Sequence, residues 1–251
     1  SNTGKAVPLG SDLLRVTDRG LHCAAGDFYV DPWAPVGRAV LTHAHSDHAR
    51  GGSQRYLVPA AGLAILRHRL GPAASLAAVP YGETRAVDGV KVSFHPAGHI
   101  LGSAQVRLEH AGEVWVVSGD YKTQSDPTCE PFELIRCHTF ITEATFGLPI
   151  YRWGDPARVC REIEAWWRAN REVGRASVLY AYALGKAQRI LASLDPDTGP
   201  LFVHGAVAVV NRLYAAAGVP LPPAGYVHDA PRGTDWSQAL IVAPTSARDT
   251  P

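Results

Sequence analysis

The sequence contains no methionine, not even at position 1. For a chain of 251 residues the expectation is that methionines are missing from the sequence as written, for example through modification, so that the numbering runs across gaps. An intact mass matching the stated composition would dismiss that expectation. Cysteine is sparse: Cys23, Cys129, Cys137 and Cys160 form no C-x-x-C pair and no framework, which favours free thiols in a reducing cytoplasm. No apolar run approaches the ~20 residues of a membrane span, and no secretory signal is visible. Charge of one sign is also lacking: the net value is +1, so any phosphate-binding surface must be local. The chain ends in Ser-Ala-Arg-Asp-Thr-Pro without a stop-like tail, which reads as a truncation.

What is present describes a soluble globular protein, with 46% hydrophobic and 19% charged residues, long enough for one large domain or two modest ones. The first half alternates short apolar runs with turns. Near two-residue alternation predicts strands over 20–23, 27–30, 38–42, 55–58, 90–96, 104–110, 113–118 and 139–142, with a helix over 60–70. Many strands and few helices imply a sheet-rich layered domain. The second half changes rhythm. A helix is expected over 155–173, capped by Asp155 and Pro156, with Val159, Ile163, Trp166 and Trp167 at helical spacing. Strands over 177–181, 201–204 and 239–243, with helices over 185–194 and 207–217, give the pattern of a parallel α/β unit. The domain change is placed near 147–154, and 218–234, rich in Pro and Gly, is read as a loop.

One stretch carries most of the chemistry. From Thr42 the sequence runs T-H-A-H-S-D-H-A-R-G-G, so His43, His45, Asp47 and His48 fall within six positions. Imidazoles with a carboxylate suit zinc, or manganese and iron. These four ligands are more than one tetrahedral ion can easily use from one loop, and fit two ions better, His43 and His45 on one, Asp47 and His48 on the other. Three further segments join them. Ala97-Gly98-His99-Ile100-Leu101-Gly102-Ser103 puts His99 on a glycine-flanked loop. Ser118-Gly119-Asp120-Tyr121 places Asp120 at the end of an apolar strand, and Ile141-Thr142-Glu143-Ala144-Thr145-Phe146-Gly147 does the same for Glu143. Taken singly, His99 and Asp120 are ordinary loop residues; beside H-x-H-x-D-H they read as ligands. Asp31 reads as a carboxylate supporting the metal loop rather than as a ligand, and Ser103 as a residue that satisfies the loop backbone.

This set resembles the metallo-β-lactamase superfamily. Within it, A-G-H-I-L-G-S, S-G-D-Y-K and T-E-A-T-F-G are similar to the β-CASP nucleases, as is Tyr182-Ala183-Leu184-Gly185-Lys186-Ala187-Gln188-Arg189 to that group's F-A-L-G-R-A-Q segment. Ala239 to Pro244 looks like its V-x-A-S-P strand. Asp27-Phe28-Tyr29-Val30-Asp31-Pro32-Trp33, running into the metal loop, resembles the bacterial ligase-associated DNA exonucleases in particular. The resemblance implies an α/β fold, an αββα metallo-β-lactamase sandwich over 1–150 with an inserted Rossmann-like β-CASP domain over 151–251 and a return to the sandwich beyond 251. It implies two divalent ions, zinc first, with manganese or iron as alternatives. His43, His45 and His99 would hold one, Asp47 and His48 the other, and Asp120 would bridge. The last metal-binding histidine and the β-CASP histidine that protonates the leaving group would lie after 251; His204 and His228 stand in the wrong contexts to replace them.

The implied activity is metal-assisted phosphodiester hydrolysis, exonucleolytic on DNA in bacterial repair, with an ATP-dependent ligase and a helicase as functional associates. Asp47 could also orient or deprotonate the nucleophile, with Glu143 supporting proton transfer. Lys186 and Arg189, at a helix start, are the candidate phosphate contacts, against the alternative of a solvated helix face. Trp166 and Trp167 could stack bases, but their spacing favours core packing. RNA processing by the same catalyst is the first alternative, a small-molecule thioester or lactone hydrolase the second, and a metal-bound but inactive nucleic-acid scaffold the third.

Overall fold

The computed structural model describes residues 12–148, 150 and 154–248. Pro149 and residues 151–153, inside the expected domain change, lie outside the described residues, as does the end of the chain at 249–251. The fold is mixed α/β, and it divides into two compact units. The first comprises the described residues up to Pro96, with Ser103–Tyr121 and Glu133–Thr142; the second comprises Ala97–Gly102, Lys122–Phe132 and the described residues from Glu143 onward.

The first unit holds two sheets. One has six strands in sequence order: β1 (Arg15–Thr17), β2 (Gly20–Cys23), β3 (Phe28–Val30), β4 (Arg38–Val40), β5 (Arg55–Pro59) and β6 (Leu76–Val79). β1 to β3 pair antiparallel, and β3 to β6 pair parallel. Parallel neighbours need a long return connection, usually a helix. Between β5 and β6 that return is α1 (Leu63–Leu70). Between β4 and β5 it is the segment holding H-x-H-x-D-H, so the metal loop occupies a crossover at the carboxyl end of a strand.

The second sheet is built from β7 (Thr84–Val87), β8 (Val90–Pro96), β9 (Ala104–His110), β10 (Glu113–Val117) and β11 (Thr139–Ile141), ordered β11-β10-β9-β8-β7. β7 to β10 form an antiparallel meander, and β11 adds in parallel to β10. Alternating side chains of both sheets make one core, with Phe28, Val30 and Val40 from the first and Val90, Val92, Phe94, Val106, Leu108 and Val117 from the second. Burial of these apolar faces holds the two layers together.

In the second unit a parallel sheet runs β12 (Ser177–Tyr180), β15 (Leu240–Ala243), β13 (Leu201–Val203), β14 (Gly225–Tyr226). Helices α2 (Pro156–Glu172), α3 (Lys186–Ser193) and α4 (Gly205–Ala216) accompany it. Trp167, Leu191, Leu201, Val203, Val207, Leu240 and Val242 form its core. Asp155 caps α2 by accepting the Ala157 N–H at 3.1 Å, with Pro156 in the first turn.

Several expectations change. The 60–70 helix opens as a 3-10 turn over Ala60–Gly62 before α1, and Gly62 at the start of α1 makes no side-chain cap. β1, β6 and β7 are strands that short, mixed sequences concealed, and the expected 218–234 loop contains β14 and the 3-10 turn Val227–Asp229. On α2 the apolar set splits: Trp167 is fully buried, while Trp166 and Val159 are 41% and 47% exposed. Residues 166 and 167 stand about 100° apart round a helix, so only one of the pair can face the core.

Candidate metal centre

The metal loop leaves β4 through Leu41 and a fully buried Thr42. It closes into a single turn in which the His45 carbonyl accepts the N–H groups of His48 at 3.2 Å and Ala49 at 2.8 Å. That turn brings His48 back beside His43, their ring centroids 4.2 Å apart. Arg50 fastens the far side, donating to the carbonyls of Trp33 at 3.1 Å and Asp47 at 3.3 Å.

Asp31, at the end of the neighbouring strand β3, organises the loop. Its Oδ1 accepts the Thr42 N–H at 2.8 Å, and its Oδ2 takes the Thr42 hydroxyl at 2.6 Å and His48 Nδ1 at 2.7 Å. Thr42 Oγ1 also lies 2.9 Å from His43 Nδ1. The hydroxyl has one proton and gives it to the carboxylate, which can only accept. It must therefore accept from His43, so His43 carries its proton on Nδ1 and presents a lone pair at Nε2. His48 likewise donates Nδ1–H to Asp31 and turns Nε2 outward. A carboxylate or hydroxyl fixing the far nitrogen is the usual support for a metal-ligating imidazole. Asp31 itself sits at φ 44°, a left-handed conformation that Asp and Asn tolerate better than most residues.

Those two Nε2 atoms face one carboxylate. Asp120 Oδ2 lies 3.8 Å from His43 Nε2, and Asp120 Oδ1 lies 3.2 Å from His48 Nε2. His45 Nδ1 stands 3.1 Å from His43 Nε2, and Asp47 Oδ2 stands 3.7 Å from His48 Nε2. Ligands at ~2.0–2.1 Å from a tetrahedral zinc ion stand ~3.3 Å from one another, so these separations fit a metal-binding donor set. His43, His45 and Asp120 belong to one group able to hold an ion, and His43 and His48 with Asp31 to another. Asp31 already has both oxygens occupied by Thr42 and His48, so we read it as the support and not as a donor.

Electrostatics follow the geometry. Burial alone would lower the His48 pKa, but the carboxylates of Asp120 and Asp31 outweigh it and raise it from 6.5 to about 10. Asp120 is held by its neighbour: Gly119 has φ 55°, and a Cβ there would come 2.7 Å from Thr42 Cβ and 2.8 Å from its Oγ1. Thr42 and Gly119 are the functional positions that motif reading missed. A threonine just before the first motif histidine and the glycine of S-G-D are the signals that could have marked them.

His99 lies on Ala97–Gly102 in the second unit, between Gly98 at φ 72° and Gly102 at φ 74°. Glu143 is half-buried just beyond β11. Lys186 opens α3, exposed, with Nζ 5.3 Å from the centroid of the Tyr182 ring. Arg189 is half-buried, its Nε 3.8 Å from Asp126 Oδ2, and it lines a cavity of about 380 Å³ with Ser125, Arg161 and Ser193. His204 is engaged as the cap of α4, its Nδ1 accepting the Ala206 N–H at 3.1 Å. A Ser93–His95–Glu133 chain, with contacts of 3.0 Å and 3.1 Å, has the order of a nucleophile relay. Ser93 is only 3% exposed, so no substrate reaches it and the chain is a packed hydrogen-bond run. All four cysteines are free, and no helix among the described residues is long and apolar enough to cross a membrane.

No protein-family model matches the chain. Known proteins do. A protein named as a probable DNA ligase from Opitutus terrae is 32% identical over 206 residues, 81% of this chain and 20% of its own length. A cleavage and polyadenylation specificity factor 73 of Drosophila melanogaster is 27% identical over 81% of this chain and 32% of its own length. An endoribonuclease of Aspergillus fumigatus is 30% identical over 47% of this chain and 14% of its own length. The chain thus spans between about a seventh and a third of these relatives. A match of 206 residues must draw on both units. The chain belongs to the metallo-β-lactamase superfamily, in its β-CASP group.

Proposed function

We propose that the chain carries the two-metal centre of a nucleic-acid phosphodiesterase, a DNA exonuclease that works with an ATP-dependent ligase, and with a helicase, in bacterial repair in the cytoplasm. The observation that carries this reading is Asp120, whose two oxygens face different histidines, Oδ2 toward His43 and Oδ1 toward His48. That is the placement a carboxylate shared by two ions requires. The fold reading that accompanies it is an αββα sandwich with a Rossmann-like β-CASP insertion.

On this assignment His43, His45 and His99 would hold one zinc ion and Asp47 and His48 the other, with Asp120 available to both. Manganese or iron would suit the same donors. Two such ions, when bound, activate water and neutralise charge on the transferring phosphate. The chain's own residues do the rest. Thr42 and Asp31 keep His43 and His48 in the tautomer that presents Nε2. Asp47, with a side chain 71% exposed, is open to solvent and suited to take a proton from the attacking water. Glu143 orients or relays that proton, and Lys186 and Arg189 grip the strand through its phosphates.

The similarity to an endoribonuclease and to a cleavage and polyadenylation specificity factor supports an RNA-processing reading equally, with the same catalyst and a different strand. Matched end-labelled DNA and RNA strands, incubated with the purified protein in manganese or zinc, separate the two. Preferential trimming of DNA supports the repair reading, and preferential RNA cleavage rejects it. His45→Ala and Asp120→Ala should abolish cleavage while leaving the fold intact; wild-type turnover in either would defeat the site assignment.

A further inference from the structure

We propose that Tyr214, on α4, is a positioning residue for the loop that carries His99, an inference that rests on reading His99 as a metal ligand. The loop Ala97–Gly102 lies within the second unit, and the tethers that hold it there bracket the histidine. On one side the Ala97 carbonyl accepts the Lys122 N–H at 2.9 Å. Next to it, Gly98 lies so close to the 122–132 segment that a Cβ would stand 2.3 Å from the Lys122 carbonyl oxygen and 3.0 Å from the Phe132 nitrogen. On the other side, two residues after His99, the Leu101 N–H donates to the Tyr214 hydroxyl at 3.2 Å, across 113 residues of sequence.

Tyr214 is fully buried. Burial of the ring would be served as well by phenylalanine; the hydroxyl is what distinguishes this side chain, and a buried tyrosine hydroxyl is ordinarily placed against a partner. Here the partner is a loop N–H that lies outside any helix or sheet ladder and would otherwise need water. With 97 and 101 both fixed, the backbone of 98–100 has little freedom, and the imidazole of His99 is delivered from a set position. A metal ligand must be held within about 0.5 Å of its working geometry, which a glycine-flanked loop does not achieve unaided. Tyr214 supplies that restraint without touching a reacting atom.

The test is a double-mutant cycle read by metal binding rather than by turnover. Zinc dissociation constants for the purified wild type, Tyr214→Phe, His99→Ala and the double variant are measured by competition with a chromophoric chelator. Cobalt absorption spectra and the melting of each metal-free form accompany them. Tyr214→Phe removes one hydrogen bond from the metal-free fold, so it should lower the metal-free melting temperature by a few degrees; it should also weaken zinc binding about 5-fold and shift the cobalt spectrum, which a purely structural loss would not do. Added to His99→Ala it should cost nothing further, because its effect passes through His99. Zinc affinity unchanged in Tyr214→Phe, or an equal loss in both backgrounds, would overturn the role of Tyr214 while leaving His99 a ligand. Wild-type zinc binding by His99→Ala would instead remove the ligand assignment on which the inference stands.

Discussion

Replacing Asp31 with asparagine tests the scaffold of the metal loop more cleanly than removing any ligand. The carboxylate accepts from the Thr42 N–H, the Thr42 hydroxyl and His48 Nδ1, at 2.8, 2.6 and 2.7 Å. Asparagine keeps the shape and tolerates the left-handed φ of 44°, so the backbone turn survives where alanine would strain it. It has one acceptor oxygen in place of two. Its amide must then face a donor, taking the place either of Oδ1 against the Thr42 N–H or of Oδ2 against both the Thr42 hydroxyl and His48 Nδ1–H. At least one charge-assisted bond is lost from a side chain only 14% exposed, a cost of about 1.5–3 kcal/mol or more to the metal-free fold. The effect on the metal is larger than the bond itself, because the tautomers of both His43 and His48 depend on this carboxylate. Loss of such support typically lowers metal affinity about 10–100-fold. Competition with a chromophoric chelator gives the affinity, and urea denaturation of the metal-free protein gives the stability. Unchanged zinc affinity in Asp31→Asn would refute the argument that Asp31 and Thr42 set the histidines.

Three other outcomes are expected. Gly119→Ala forces a Cβ to within 2.7 Å of Thr42 at φ 55°, and should destabilise the protein by about 1–3 kcal/mol and weaken metal binding together, read by thermal melting and metal content. His48 in the metal-free protein has its pKa raised from 6.5 to about 10, so its contribution to stability is fully present below pH 6.5 and lost as pH rises through about 10. The urea midpoint should therefore fall across that window in the wild type and less so in His48→Gln; parallel slopes would contradict it. Trp167→Ala empties a fully buried site and removes the indole N–H bond to the Gln238 carbonyl at 3.1 Å, costing about 3–5 kcal/mol by denaturant unfolding.

How much of this was legible in the sequence depends on range. The strands at Gly20–Cys23, Val90–Pro96 and Ala104–His110 follow from alternation that their own residues carry, and the capped start of α2 from Asp155-Pro156. β7 is not legible, because Thr84–Val87 has only one partly buried side chain and is a strand through its pairing with β8. The donors His43, His45, Asp47, His48 and Asp120 stand out because their residue types are rare together at such spacing. Their support does not stand out: Thr42 and Gly119 are common residues whose role exists only once β4 and β10 bring them into contact. The same holds for Tyr214, whose partner lies 113 residues away.

The exposures of the donors carry one more consequence. The His43 side chain is wholly enclosed, whereas Asp47 is 71% open to water. On the proposed assignment two cations would then be held unequally: one held through Asp47 would exchange more readily with the bath than one held through His43. A limiting dose of chelator would strip them in order, leaving a half-loaded species whose properties are neither those of the full centre nor those of the bare protein.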